Sequence, residues 1–411
     1  MAEKEISDLG LREIISCAAC TSTNLHTTFD FGEVPLAGYF PKSVENLMPL
    51  LPMKLMFCAR CSLHQISPDI SDQYLFGDYR YISSVGMQSH FNELARWFVD
   101  KYKPTKDSKI LEFGCNDGPL LQALTNMGFS PIGIDPATNI VNIALEKKLT
   151  VINDYFNVHS HERYEELKNL DFIFSSNSFA HISDIRSVAE AVEKCLSPGG
   201  LFIVEVQGLE QMFEAKAFDF VYHEHKYYYS VESMSNLMAQ FNLRLVESMK
   251  IDTHGGSLRL VFSKKLDEKS TTASIEFTNS ESRVITPQLL ASGIELYRKM
   301  LNEIDQKIQK ELSLGSRIAA FGASGRANML LGELPITKNA LQFVVDESPE
   351  RIGRKMAQNG VPIVGMNEFL DQDIDVILIL AWNFADVIVS KLPKKNYRII
   401  IPLPSLKEFI H

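Results

Sequence analysis

The stretch Lys109-Ile-Leu-Glu-Phe-Gly-Cys-Asn-Asp-Gly118 decides the fold. It reads as a buried strand ending near Glu112, a glycine-bearing turn, and a helix starting near Pro119. Gly114 and Gly118 permit positive φ and close backbone approach, and such a turn sits at the carboxyl edge of a parallel sheet, where nucleotide ligands bind. The spacing is E-x-G-x-x-x-G. The pyrophosphate fingerprint is G-x-G-x-x-G, so this turn suits a ligand without phosphate at that point.

Working outward, Pro131-Ile-Gly-Ile-Asp135-Pro puts an acid at the next strand end, where Asp135 can accept hydrogen bonds from both hydroxyls of a ribose. Further strands are expected near 151–153, 171–175 and 201–206, the last after the turn Ser197-Pro-Gly-Gly200, with helical segments between them. The alternation predicts an open α/β sheet.

Upstream, four of the six cysteines form two pairs, Cys17-Ala-Ala-Cys20 and Cys58-Ala-Arg-Cys61. Two such knuckles complete a tetrahedral thiolate site that suits zinc, with no position left for water or substrate. The metal is therefore expected to fasten a loop-rich segment. Beyond it, Leu75-Phe-Gly-Asp-Tyr79-Arg-Tyr81-Ile-Ser-Ser84 clusters hydroxyls ahead of an amphipathic stretch at 90–102. Clustered Tyr and Ser fit satisfied packing or the lining of a polar ligand site, and packing is favoured.

Downstream, Phe218-Asp-Phe-Val-Tyr222-His223-Glu224-His225-Lys-Tyr-Tyr-Tyr-Ser230 is the densest grouping of titratable and hydroxyl side chains in the chain. Metal binding, structural polar packing and acid/base chemistry are all open to it, and acid/base chemistry is favoured. His223 is free to face outward. His181 follows the strand near 171–175 and so shares the sheet edge with the glycine turn. Thr253-His254-Gly-Gly-Ser257-Leu-Arg259 is a plain hairpin or an addition to the site.

From 264 to 283 the chain is rich in Ser, Thr and charge, a connection between lobes. Leu290, Ile294, Tyr297, Leu301, Ile304 and Ile308 then mark one apolar helix face. Strands near 317–321, 342–346, 375–380 and 398–401 alternate with helical segments and predict a second, smaller doubly wound sheet. Its first turn is Gly322-Ala-Ser324-Gly-Arg326, where backbone N–H groups can receive phosphate and Arg326 can add charge.

The 411 residues divide as 1–85, 86–265 and 266–411, a zinc segment, a cofactor domain and a Rossmann-like domain. Lys and Arg number 41 against 51 Asp and Glu, a formal charge of −10 that opposes nucleic-acid binding. No apolar run reaches the roughly 18 residues of a membrane span, and no export signal opens the chain, so a cytoplasmic setting is expected.

The glycine turn, Asp135, Asn153-Asp-Tyr155-Phe and the Pro-Gly-Gly turn together resemble a class I S-adenosylmethionine-dependent methyltransferase. With the cysteine pairs, Tyr222-His-Glu-His225, the 253–259 segment and Phe321-Gly-Ala-Ser-Gly-Arg-Ala, the chain resembles the nucleotide-sugar C-methyltransferases, which include the 3-C-methyltransferases of 4-keto deoxysugars. The resemblance implies that Glu112, Gly114, Asn116 and Gly118 position the amino-acid portion of S-adenosylmethionine, Asp135 its ribose, and Asp154 with Tyr155 its adenine. It makes His225 the base, with Tyr222, Glu224 and His181 placing substrate or stabilising charge. Tyr79, Tyr81, His254, Arg259, Ser324 and Arg326 are implied contacts for the nucleotide-linked keto-deoxysugar, which would lie between the central and carboxyl-terminal lobes. The alternatives are methylation of a sugar oxygen or nitrogen and a zinc-containing oxidoreductase, the latter disfavoured because neither glycine turn has dinucleotide spacing.

Overall fold

The computed structural model describes residues 9–47, 49–76, 82–253, 256–265, 286–334 and 340–411. Tyr79, Tyr81, His254 and nearly all of the Ser/Thr-rich connection lie outside the described residues.

The chain opens with an antiparallel meander, β1 (Leu25–Val34), β2 (Leu51–Cys58) and β3 (His64–Ser67). It continues through β4 (Ile110–Phe113), β5 (Ile132–Ile134), β6 (Thr150–Ile152), β7 (Leu170–Ser176) and β8 (Leu196–Gln207). The two-residue β9 (Tyr227–Tyr228) precedes a hairpin of β10 (Arg244–Ile251) and β11 (Ser257–Ser263). The last third holds β12 (Ile318–Phe321), β13 (Val344–Val345), β14 (Ile363–Val364), β15 (Val376–Ile379), β16 (Arg398–Ile401) and β17 (Lys407–Ile410).

The central sheet runs β10-β11-β8-β7-β4-β5-β6. β8 to β6 are parallel and the hairpin is antiparallel, the order of a class I methyltransferase. Every residue of β4 is buried, as a central strand covered on both faces requires, and Glu112 is the one charge in that run. Gly118 at φ 77° turns the chain into the helix Pro119–Asn126, which starts on proline. β10 and β11 pair antiparallel up to Ile251 with Ser257, as the hairpin expected at 253–259 requires.

The carboxyl-terminal sheet runs β14-β13-β12-β15-β16-β17, parallel except for β17. The helix Pro287–Ser313 buries the expected face from Leu290 to Ile308 in a core shared with this sheet, and Tyr297 of that face meets Phe218.

The amino-terminal segment is more regular than its Gly and Pro content suggests. β2 alternates buried Leu51, Met53 and Leu55 with exposed residues, the period of a half-buried strand. Its sheet runs β1-β2-β3-β9, so the fourth strand comes from the residues directly after His225 and Lys226. One core joins Met53 and Leu55 of this sheet to Phe218 and Val221 and on to β12 and β15. No helix among the described residues is long and apolar enough to cross a membrane.

Candidate active site

The four knuckle cysteines are buried, and their Sγ atoms all lie within 4.8 Å of one another, with Cys17 to Cys61 and Cys20 to Cys58 each at 3.5 Å. Thr21 N–H donates to the Cys17 carbonyl and Ser62 N–H to the Cys58 carbonyl, turns that place Thr21 at φ 60° and Ser62 at φ 64°. Thiolates about 2.3 Å from one ion stand about 3.8 Å apart in a tetrahedron, so the cluster fits zinc. With four protein ligands that zinc is structural.

At the carboxyl edge of the central sheet, Gly114, Asn116 and Gly118 all have positive φ. Asp135 closes the turn. One of its oxygens accepts Asn116 N–H at 3.0 Å and the other accepts Ala137 N–H at 2.9 Å. Burial raises its pKa and these two amides oppose the rise. Glu112 lies beneath, its carboxyl pushed well above the usual range by burial and by the charges of Glu205, Asp135 and Asp117. The Asn116 and Asp117 side chains accept the N–H groups of Ser83 and Ser84, tying the head of the helix Ser84–Tyr102 to the turn. An edge with Glu112 and Asp135 beside glycine turns offers acceptors suited to the ammonium group and the ribose hydroxyls of S-adenosylmethionine. Asp154 is held by Arg163 at 2.6 Å and by the Tyr164 hydroxyl at 2.8 Å, and Tyr155 is about half exposed beside it.

The reactive turn lies over the same edge. His225 Nδ1 donates to the Phe220 carbonyl at 3.2 Å, so Nε2 of the neutral ring is an acceptor, and it receives the Tyr222 hydroxyl at 2.8 Å. His181 is oriented likewise, Nδ1 donating to the Glu224 carbonyl at 2.8 Å, and burial lowers its pKa to about 4, so it is neutral at ordinary pH. The two imidazoles meet edge to face, 4.8 Å between ring centres. Glu224 is buried, its Oε1 accepts Gly38 N–H at 2.6 Å, and burial raises its carboxyl to about 7. The turn thus joins a proton acceptor to a phenol, a pair suited to moving a proton, with the Glu224 carboxyl on the adjacent residue.

Three expected substrate contacts have partners within the protein. Arg259 points inward, Nε 2.6 Å from Glu205 and the guanidinium 4.4 Å over Trp97, while His90 takes the other Glu205 oxygen at 2.7 Å. Ser324 caps its helix, accepting Ala327 N–H at 3.2 Å. Arg326 is paired with buried Asp219 at 2.8 Å, and Ala37 of the amino-terminal segment lies in van der Waals reach of Gly325, so the second glycine turn is partly buried. His223 is also buried, donating to the Pro52 carbonyl at 3.3 Å, rather than facing outward.

Several residues that hold the turn carry no motif. Gly38, Asp219 and the buried Lys226, which reaches Asp69 at 2.6 Å and Asp72 at 2.7 Å, are distant in sequence from their partners. Only the placement of Asp219 and Lys226 inside the dense 218–230 segment pointed to them.

Three family models match in succession: "Putative zinc binding domain" at residues 17–76, "Methyltransferase domain" at 87–248 and "C-methyltransferase C-terminal domain" at 252–404. The chain is 26% identical over 409 residues to C-methyltransferase NovU of Streptomyces niveus, with 96% of each chain covered. It is 29% identical over 104 residues to a ubiquinone biosynthesis O-methyltransferase of Rhizobium etli, covering 25% of this chain and 42% of that one. Among solved structures, magnesium protoporphyrin IX methyltransferase of Synechocystis PCC 6803 with bound SAH aligns with 46% of this chain and 91% of its own, at 14% identity and a TM-score of 0.36. The cysteine knuckles, the central strand order and the matched carboxyl-terminal part fall in one order along the sequence, and the chain is similar along nearly its whole length to a C-methyltransferase, with a zinc-binding, a methyltransferase and a C-methyltransferase carboxyl-terminal domain matched in succession.

Proposed function

We propose that the protein methylates C3 of a nucleotide-linked 4-keto deoxysugar in the cytoplasm, with 1–85, 86–265 and 266–411 as its zinc, cofactor and carboxyl-terminal parts. The observation that carries this reading is the Tyr222–His225 pair, with the imidazole proton fixed on Nδ1. Carbon is a poor nucleophile until a C–H proton is removed, and an adjacent ketone permits removal by spreading charge onto oxygen. Two groups are then needed, a neutral base and a donor to the developing enolate oxygen.

S-adenosylmethionine supplies an electrophilic methyl group and leaves as S-adenosylhomocysteine. Asp135 would accept from the ribose hydroxyls, Glu112 and the Gly114–Gly118 turn would hold the amino acid, and Asp154 with Tyr155 would border the adenine. On acceptor binding, Tyr222 O–H turns from Nε2 to the ketone oxygen. Nε2 of His225 then takes the C3 proton, and the electron pair moves into the enolate. His181 and Glu224 line the acceptor, and the carboxyl-terminal part acts by holding the turn rather than by contacting the acceptor.

The test is incubation with methyl-labelled S-adenosylmethionine and a panel of 4-keto sugar nucleotides, with NMR of the product. A new methyl on C3 supports the reading. A methyl on oxygen or nitrogen replaces it with heteroatom transfer.

A further inference from the structure

Arg326 begins in the carboxyl-terminal domain, in the first turn of the helix Gly325–Glu333, but its guanidinium ends against the reactive turn. Nε and Nη2 stand 3.0 and 2.8 Å from one oxygen of Asp219, and Nη1 donates to Asn383 at 3.0 Å. Trp382 Nε1 donates to that same Asp219 oxygen at 3.0 Å. The guanidinium carbon lies 3.6 Å from the centre of the Phe220 ring and 4.6 Å from that of Trp382. Asp219 is fully buried and the Arg326 side chain 12% exposed, so the pair is held in low dielectric by a rigid, planar group.

Asp219 and Phe220 share the single turn Phe218–Phe220. The Phe220 carbonyl accepts His225 Nδ1–H at 3.2 Å and the Tyr228 hydroxyl at 3.3 Å, and the Phe220 ring lies within 13° of parallel to the imidazole. Two adjacent residues therefore connect the neighbouring domain to the tautomer of His225. Nε2 accepts a proton only while Nδ1 keeps its own, and Nδ1 keeps it because a carbonyl faces it.

We propose that Arg326 is a positioning residue: by clamping Asp219 and Phe220 from the neighbouring domain, it holds the Phe220 carbonyl against Nδ1 of His225 and keeps Nε2 as the acceptor. The inference rests on the reading of His225 as the base. It differs from a phosphate-binding role, which would act on the KM of the acceptor and not on the imidazole.

The experiment is nitrogen-15 NMR of histidine-labelled, zinc-loaded full-length protein, with the His225 ring assigned by its loss in His225→Asn. Wild type is expected to hold His225 as the Nδ1–H tautomer. Arg326→Met should populate both tautomers and lower kcat about 10²-fold with the acceptor KM unchanged, and Arg326→Lys should restore part of each. Because Arg326→Met leaves a buried carboxylate unpaired, Arg326→Met/Asp219→Asn is measured alongside it, and its spectrum decides if the single variant fails to fold. An unchanged tautomer in the folded variant, or a raised KM with kcat retained, overturns the inference. The spectrum needs no acceptor, so wild type that methylates no keto sugar nucleotide defeats the proposed function and leaves the tautomer result to stand or fall separately.

Discussion

The amide of Gly38 lies 2.6 Å from Oε1 of Glu224, so a loop between the two zinc knuckles holds the carboxyl next to His225 in the sequence. The approach leaves no room for a side chain, since a Cβ on Gly38 would stand 2.4 Å from that oxygen. Gly38→Ala should push Glu224 and the turn aside and lower kcat about 10²-fold. S-adenosylmethionine affinity should be unchanged. Calorimetric titration beside steady-state kinetics checks both halves.

Glu224 also sets a pH dependence of stability. Burial raises its carboxyl from 4.5 to about 7, so between those values the folded protein keeps a proton that the unfolded chain has released. This group therefore costs stability as pH rises through that window, and the cost is complete above it. Glu224→Gln keeps an acceptor for Gly38 and removes the titration. Its stability relative to wild type should rise by on the order of 3 kcal/mol between about pH 4 and about pH 8. Denaturant unfolding across that range measures it, and a flat difference contradicts the assignment.

Zinc should act on turnover from a distance. The knuckle Cys58–Cys61 joins β2 to β3, β3 pairs with β9, and Ile66 N–H donates to the carbonyl of Lys226 at 3.0 Å. Chelation or Cys58→Ser should lower the melting temperature and cut kcat at least about 10²-fold. Cofactor affinity should fall far less, because Asp135 and the glycine turn are held by their own strands. Full turnover by protein shown to be zinc-free in mass spectrometry would contradict this.

Gly114 adopts φ 65°, and a Cβ there would stand 2.4 Å from the Ser178 side chain. Gly114→Ala should weaken S-adenosylmethionine binding by about 10-fold or more. Fluorescence or calorimetric titration checks it, and unchanged affinity removes the turn from the cofactor site.

What could be read from the residues alone followed local chemistry. Positive φ at Gly114 and Gly118, the cysteine pairs and the apolar face from Leu290 to Ile308 each depend on neighbours within a few positions. The partners of Arg259 and Arg326 are not legible in the same way. Arg326 meets Asp219 across 107 positions and Arg259 meets Glu205 across 54, and nothing local distinguishes an arginine awaiting phosphate from one already paired. The fourth strand of the amino-terminal sheet is two residues long and lies about 160 positions beyond its partner β3, too short for any periodicity to reveal.

The central claim is proton removal from carbon by His225. The most direct measurement is deuterium exchange from solvent into C3 of a 4-keto sugar nucleotide, with S-adenosylhomocysteine in place of the methyl donor. The account predicts exchange by wild type and its loss, by about 10³-fold, in His225→Asn that still binds S-adenosylhomocysteine. Exchange at the wild-type rate in His225→Asn would contradict it.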